Sequence, residues 1–125
     1  MATTSDDYLC TIEPARDELK KVIERGHVTY YKELGQKVGR HERWPKWKDV
    51  LDTIAHGRPD ISIIVLNAAS GWPGLIDGKA VIDRKPTDDQ KRYAQEELAR
   101  AFRRYAPGKC TPLLPLPKRK NKTHS

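Results

Sequence analysis

The sequence has few of the features that mark several large protein classes. Its 125 residues include two cysteines, Cys10 and Cys110, which are too few for a disulfide framework, and no CxxC or Cys/His cluster typical of zinc sites. No apolar run approaches the roughly 20 residues that a membrane-spanning helix needs. The first ten residues, MATTSDDYLC, are neither basic nor apolar, unlike a signal peptide. We therefore expect a cytoplasmic protein with no metal, no cofactor and no membrane-spanning segment.

Positive charge is what the sequence has in excess, and it is concentrated in the second half. The formal net charge is +7. Basic and acidic residues cancel over residues 1–60, whereas residues 61–125 carry 13 lysines and arginines against six acidic residues. Such an asymmetry favours a polyanionic partner, of which nucleic acid is the commonest. An acidic protein, a membrane surface or a merely solubilising role for the charge are the alternatives.

Apolar residues recur at helical spacing in four segments of the chain. The predicted helices cover residues 14–25, 30–38, 45–56 and 87–105. Pro14 suits a first helical turn, because its missing N–H group would have no partner there. Thr29 and Thr87 are suitable N-caps, and Gly26 and Gly39 end helices naturally. The second and third helices are short and joined by a tight link, which gives a helix-turn-helix outline.

The segments that follow this outline predict a β wing. Residues 61–68, ISIIVLNA, are β-branched or apolar almost throughout and predict a strand buried on both faces. After the turn SGWPG, residues 75–82 predict a second strand broken at Asp77 and Gly78, or a loop with short extended parts. The expected fold class is therefore α+β, a winged helix-turn-helix with a small β wing and an added C-terminal helix.

The pattern along the chain predicts one domain with two irregular ends. Residues 1–12 have no strong pattern, so we expect a flexible lead-in to a winged-helix domain over residues 13–106. Residues 107–125 are proline-rich and then basic, which predicts an extended or disordered tail.

Residues 17–78 contain the stretch GHVTYYKELGQKVGR, a predicted helix and the stretch ISIIVLNAASGWPG, in that order. In this order and spacing they resemble the winged-helix domain of the alkylguanine-DNA alkyltransferases and the alkyltransferase-like proteins. The resemblance implies that the helix of residues 45–56 enters the DNA minor groove. It also implies that Tyr30 matches the family tyrosine that helps to rotate a nucleotide out of the duplex. The chain is similar, too, to stand-alone bacterial and phage relatives in which the winged helix persists without the alkyl-transfer site.

The Pro-Cys-His-Arg active-site motif of the alkyltransferases is missing from this chain. With Gly71 aligned on the family glycine, the cysteine position falls on Ile63 and the histidine position on Ile64. Alkyl transfer needs a thiolate that a histidine activates, and two isoleucines supply neither group. The four histidines are scattered along the sequence and form no pattern with a nucleophile and an acid. We therefore expect no enzymatic activity and assign no catalytic residue.

A basic and aromatic cluster, GRHERWPKWK, lies at the start of the predicted helix of residues 45–56. Basic side chains and N–H groups at a helix N-terminus are typical contacts to phosphate. Trp47 lies on the apolar stripe and is expected in the core, whereas Trp44 either packs in the core or acts as a stacking or wedge group. The predicted DNA-binding residues are Tyr30, Arg40, Arg43, Trp44, Lys46, Lys48, Arg58, Lys79, Lys118, Arg119, Lys120 and Lys122.

Three hypotheses about function follow from these observations. The first is a non-catalytic DNA-binding protein, a regulator, architectural or accessory factor, that contacts duplex DNA through the helix of residues 45–56 and the basic tail. The second is a protein–protein interaction module, such as an inhibitor, immunity or adaptor protein, with Trp72 as an apolar anchor. A third, a sensor of damaged bases, needs a pocket that Ile63 and Ile64 are expected to fill. None of these hypotheses includes a membrane partner.

Overall fold

Four α-helices and two very short sheets make up the described part of the chain. A computed structural model describes residues 4–57, 59–81 and 85–116, with side chains from Tyr8 onward. The helices are α1 (Thr4–Glu24), α2 (Tyr31–Val38), α3 (Trp47–Ala55) and α4 (Asp88–Tyr105), and a 3₁₀ helix covers Ile61–Ile64. Among these described helices, none is both long and apolar enough to cross a membrane.

Each of the two sheets has two strands, which run parallel in one sheet and antiparallel in the other. Strand β1 (Thr29–Tyr30) pairs in parallel with β2 (Val65–Leu66), so that Thr29 lies opposite Val65. Strand β3 (Leu75–Ile76) pairs antiparallel with β4 (Lys79–Ala80) across a tight turn. Helices and sheets are thus mixed along the chain, and the α+β class predicted from the sequence is confirmed.

The core forms where the apolar stripes of α1, α3 and α4 meet the 3₁₀ helix. Leu19 of α1, Val50 of α3 and Leu98 of α4 have no accessible surface, and neither do Ile63 and Ile64. Apolar side chains at helical spacing on three helices thereby close over one apolar segment. Trp47 is 4% exposed, so its expected place in the core is confirmed.

The first helix begins ten residues earlier than the sequence predicts. Helix α1 starts at Thr4 and continues through Pro14, so a helix start at Pro14 is wrong and the described part of the predicted lead-in is helical. The apolar stripe explains this, because Tyr8 and Ile12 continue the spacing of Ala15 and pack on the core. The other three helices lie where they were predicted, within two residues at each end.

The first half of the predicted strand over residues 61–68 is a 3₁₀ helix, Ile61–Ile64. The Asp60 carboxylate accepts hydrogen bonds from the backbone N–H (2.9 Å) and the hydroxyl (2.6 Å) of Ser62, and these bonds turn the chain at Ile61. Only Val65–Leu66 is extended and paired. The predicted burial is confirmed for residues 61–66, whereas Asn67 is half-buried and Ala68 is exposed. The extended conformation is wrong for Ile61–Ile64 because a local side-chain cap competes with strand pairing.

The first ten residues of the predicted extended or disordered tail are held against the domain. We call residues 107–116 the strap. The side-chain amide of Gln95 donates to the carbonyl of Pro112 (2.9 Å) and accepts from the N–H of Leu114 (2.8 Å). The N–H of Leu116 donates to the carbonyl of Gly71 (3.1 Å). The strap therefore has defined contacts but contains no helix or strand, and residues 117–125 lie outside the described residues.

Candidate nucleic-acid interface

An open groove of about 780 Å³ lies between the start of α3 and the turn that follows β2. One wall is formed by the link before α3, with Arg43 and Trp44, and by Lys48 at the start of that helix. The opposite wall is Asn67 and the two alanines after it. The β1–β2 pairing brings these walls together, because it joins segments that are 36 residues apart at Thr29 and Val65.

Three exposed cations line the groove, against a single acidic residue. They are Lys32 at the start of α2, Arg43 in the link and Lys48 in the first turn of α3, and the acid is Glu42. Within the described parts of the chain, none of the three cationic side chains forms an ion pair or a hydrogen bond. The groove therefore offers a surplus of unneutralised positive charge to an anion.

The aromatic wall of the groove consists of Tyr31, Trp44 and Trp47, whose rings meet edge to face. The Trp47 indole N–H donates to the carbonyl of His41 (2.8 Å), and the edge-to-face contacts of Trp47 reach Tyr31 (6.4 Å) and Trp44 (5.4 Å between centroids). The guanidinium of Arg40 lies 4.5 Å from the centroid of the Trp44 ring. One face of Trp44 is thus already covered, so the indole is a fixed wall with at most one face open for stacking.

Tyr31 and Gly74 meet at the base of the groove. A side chain at residue 74 would collide with the Tyr31 ring and hydroxyl, so only glycine allows this close approach. Burial raises the pKa of Tyr31 to about 12, and the phenol is therefore neutral at physiological pH.

The structure brings four of the predicted DNA-binding residues to the groove: Tyr30, Arg43, Trp44 and Lys48.

Three more of the predicted residues lie nearby. Arg40 lies behind Trp44 and donates to the hydroxyl of Thr11 (3.2 Å), while Lys46 is half-buried at the N-cap of α3. Lys79 is exposed on β4, next to the groove residue Ala80. The remaining predictions, Arg58, Lys118, Arg119, Lys120 and Lys122, fall outside the described residues.

Part of the groove lining was not predicted from the sequence. Lys32 and Tyr31 line the groove from the first turn of α2, and Asn67, Ala68 and Ala69 form its far wall. A signal existed for Lys32, because Leu34 occupies the buried face of the same short helix and leaves Lys32 on the opposite face. No comparable signal existed for residues 67–69, whose place depends on long-range pairing.

The residues aligned with the alkyltransferase active site do not belong to the groove. Ile63 and Ile64 have no accessible surface and pack in the core. Cys10 and Cys110 are exposed and unbridged. No group of His, Cys, Asp and Glu side chains in residues 4–57, 59–81 and 85–116 is arranged to hold a metal ion.

A second polar cluster surrounds Asp60, the N-cap of the 3₁₀ helix, and is closed to solvent. Asp60 has no accessible surface, receives both hydrogen bonds from Ser62 and a third from the Tyr93 hydroxyl (3.3 Å). Its own N–H donates to Glu97 (3.3 Å), which pairs with Arg100. Burial raises the pKa of Asp60, the Ser62 hydrogen bonds oppose the shift, and the Glu97 charge adds to it.

Comparison with protein-family models, curated proteins and solved structures finds no match to this chain.

Proposed function

We propose that this protein binds duplex DNA without catalysis, through the groove beside α3, as a winged-helix regulator, architectural or accessory factor. The observation that carries the proposal is the set of three exposed, unpaired cations, Lys32, Arg43 and Lys48, around a rigid aromatic wall. Cations with no internal partner lose no ion pair when they meet phosphate, and they release condensed counterions from DNA. The groove thus combines long-range attraction with a fixed shape.

The proposed contacts are to the backbone of DNA rather than to base edges. Lysine and arginine at the start of a helix position a protein on phosphates, and such contacts carry no sequence information. Lys48 lies in the first turn of α3, and Arg43 lies in the link that leads into it. If the groove and the basic segment 118–122 together contact about five to seven phosphates, the salt dependence of binding has a log–log slope of roughly −5.

Fluorescence titration of a labelled 16-base-pair duplex with the full chain tests the proposal. The double reversal Arg43→Glu and Lys48→Glu places two carboxylates in the groove, and we expect about a 100-fold loss of affinity at physiological salt. The matched control is Lys20→Glu and Lys21→Glu, which reverses two charges on α1 outside the groove. Equal losses in both double variants would contradict the proposal, because they would show an effect of net charge alone.

An acidic protein partner is the second candidate, and the apolar part of the groove favours it. Ala80 is exposed and Tyr31 and Trp44 are partly exposed in the groove lining, so the groove offers apolar surface to side chains of a peptide. Trp72 is less suited to the anchor role, because it is half-buried against the core and Lys91 lies 5.9 Å from its ring centroid. Competition between labelled duplex and polyglutamate of equal charge separates the candidates. If the groove recognises acidic peptides, polyglutamate displaces the labelled duplex at concentrations similar to those of unlabelled duplex; if it recognises DNA, it does not.

A further inference from the structure

The far wall of the groove is one compact turn, residues 67–72. The N–H of Asn67 donates to the Trp72 carbonyl and the N–H of Gly71 donates to the Asn67 carbonyl, both at 2.8 Å. The N–H of Trp72 also donates to the Ser70 hydroxyl (3.2 Å). These hydrogen bonds fix the backbone of the wall, so that the side chains on it keep a constant position relative to the groove.

The strap packs against the same turn. The N–H of Leu116 donates to the carbonyl of Gly71 (3.1 Å), and a side chain at residue 71 would collide with the backbone of Leu116. Gly71 also has a positive φ of 78°, so the turn and the close approach both require glycine. The strap is itself held on α4 by the Gln95 side chain. The far wall is therefore fixed to α4 through the strap as well as by its own hydrogen bonds.

The Asn67 side chain lies on this wall and has unused hydrogen-bond donors. It lines the groove and is half-buried. Its carboxamide oxygen accepts from the N–H of Ala69 (2.8 Å), and because an N–H group can only donate, the atom that faces Ala69 is the oxygen rather than the nitrogen. The two amide N–H groups form no hydrogen bond with any residue in the described parts of the chain. Asn67 therefore offers two donors to a ligand in the groove, on a carboxamide whose orientation is already set.

The far wall differs from the opposite wall in charge and in the length of its side chains. Arg43 and Lys48 on the opposite wall are long and charged, which suits phosphate. Residues 67–69 are short and neutral, and Ala68 and Ala69 are exposed, so a ligand can approach the turn closely. Base edges are neutral and carry hydrogen-bond acceptors in both grooves of DNA. An amide donor beside two alanines therefore suits a base edge better than the charged backbone.

We propose that Asn67 is a specificity-determining residue, which donates a hydrogen bond from its side-chain amide to an acceptor on a base edge. This inference rests on the proposed function, in which the groove cations contact phosphates and carry no sequence information. A carboxamide that the turn already orients loses little conformational freedom on binding, so its hydrogen bond is selective for the position of the acceptor. The protein then prefers duplexes that present an acceptor at that point.

Selection of tight binders by the full chain, from short duplexes with a randomised centre, tests this preference. For the parent we expect about a fivefold preference at one or two neighbouring base pairs. Asn67→Asp keeps the oxygen that accepts from Ala69 but has no N–H group, so it should lose the preference. A parent without any preference, or an Asn67→Asp variant with the parental preference, would overturn the inference.

Ser70→Asp is the matched control for the added charge. Ser70 lies in the same turn, is exposed and does not line the groove, and an aspartate there keeps an acceptor for the N–H of Trp72. Both variants should bind DNA more weakly than the parent because of the added negative charge, but Ser70→Asp should keep the sequence preference. Equal loss of preference in the two variants would assign the loss to charge and contradict the role of Asn67.

Removal of the acceptor from the DNA separates this inference from the proposed function. A base analogue without the acceptor at the preferred base pair, such as a deaza purine, should weaken binding by the parent about fivefold and leave binding by Asn67→Asp unchanged. Equal weakening of both proteins would mean that another group contacts the acceptor. Binding by the parent that is independent of sequence would remove this inference alone, whereas absence of any binding would remove the proposed function itself.

Discussion

The groove and the Asp60 cluster are both rich in polar groups, but the groove exposes its charged groups to solvent, whereas the Asp60 cluster buries and hydrogen-bonds its carboxylate. In the groove, the cations of Lys32, Arg43 and Lys48 are exposed and form no ion pair with any described residue. In the Asp60 cluster, a carboxylate with no accessible surface receives three hydrogen bonds from two neighbouring side chains and a backbone N–H. The first arrangement faces solvent, and the second faces the core.

This difference separates groups that stabilise the fold, around Asp60, from exposed groups that do not, in the groove. A buried carboxylate without partners would cost several kcal/mol, so the donors around Asp60 are part of the folded structure. The groove cations contribute little to folding, because exposed charges in water interact weakly with one another. A substitution in one region is therefore expected to change stability and in the other to change binding.

The largest expected effect comes from removing the buried acceptor. Asp60→Ala leaves the backbone N–H and hydroxyl of Ser62 without their partner, and we expect a loss of about 3 kcal/mol in the free energy of unfolding. Urea unfolding followed by circular dichroism measures it. DNA affinity of the folded fraction should stay at the parental value. A loss below about 0.5 kcal/mol would mean that the cap of the 3₁₀ helix is dispensable.

A smaller effect on stability is expected at Gly74, where the backbone packs closely against the Tyr31 ring in the groove. Gly74→Ala places a methyl group against the Tyr31 ring and should cost about 2 kcal/mol of unfolding free energy, because the ring must move out of its place in the wall. Tyr31→Ala in the same chain removes the collision. We therefore expect the double variant to lose at least about 1 kcal/mol less than the sum of the two single variants.

Urea unfolding of the four proteins of this cycle gives the coupling free energy between residues 31 and 74. The pair Gly78→Ala and Tyr31→Ala is the control, because the nearest atom to a side chain at Gly78 belongs to Asp52 rather than to Tyr31. Additive losses in the Gly74 cycle would show that the ring does not press on that glycine.

A single groove cation should change binding without changing stability. Lys48→Gln removes one exposed charge, so we expect about fivefold weaker DNA binding at physiological salt and a salt slope smaller by about 0.9. Unfolding in urea should match the parent. Lys21→Gln on α1 is the control for net charge. If the Lys48→Gln variant binds DNA as tightly as the Lys21→Gln variant, Lys48 is not part of the interface.

The parts of the fold that could be predicted are those with a local cause. Helix α4 was predicted from its pattern, and its capping box between Thr87 and Gln90 is a short-range signal. Burial of residues 61–66 was predicted because apolar content encodes burial. Their conformation was not, since an apolar run fits a 3₁₀ helix as well as a strand. The Asp60 and Ser62 pair was the available local signal for a turn.

The candidate site could be predicted only in part, because its two walls come from distant segments. Arg43, Trp44 and Lys48 lie in one basic and aromatic stretch, and composition alone points to them. The far wall at residues 67–69 reaches the groove through the β1–β2 pairing, and no periodicity encodes that pairing. The hydrogen bonds of Gln95 to the strap are likewise contacts between distant residues, and the proline-rich sequence by itself contains no signal for them.

The smallest expected effect is a pH dependence that belongs to the Asp60 cluster alone. Because burial raises the pKa of Asp60 above its ordinary value of 3.8, the folded chain binds this proton more tightly than the unfolded chain. The resulting stabilisation is fully present below pH 3.8 and is lost as the pH rises through the raised pKa. Asp60→Asn keeps an acceptor for Ser62 but does not titrate, so it isolates this contribution from those of the other carboxylates.

We expect the difference in unfolding free energy, parent minus Asp60→Asn, to increase as the pH falls from 7 into the acid range. Urea unfolding at a series of pH values measures the difference, and Asp88→Asn on the exposed first turn of α4 is the matched control. A constant difference would mean that the Ser62 and Tyr93 hydrogen bonds offset burial, and a difference that increases toward neutral pH would mean that they outweigh it. In that case the closed cluster would stabilise the charged carboxylate rather than tolerate it.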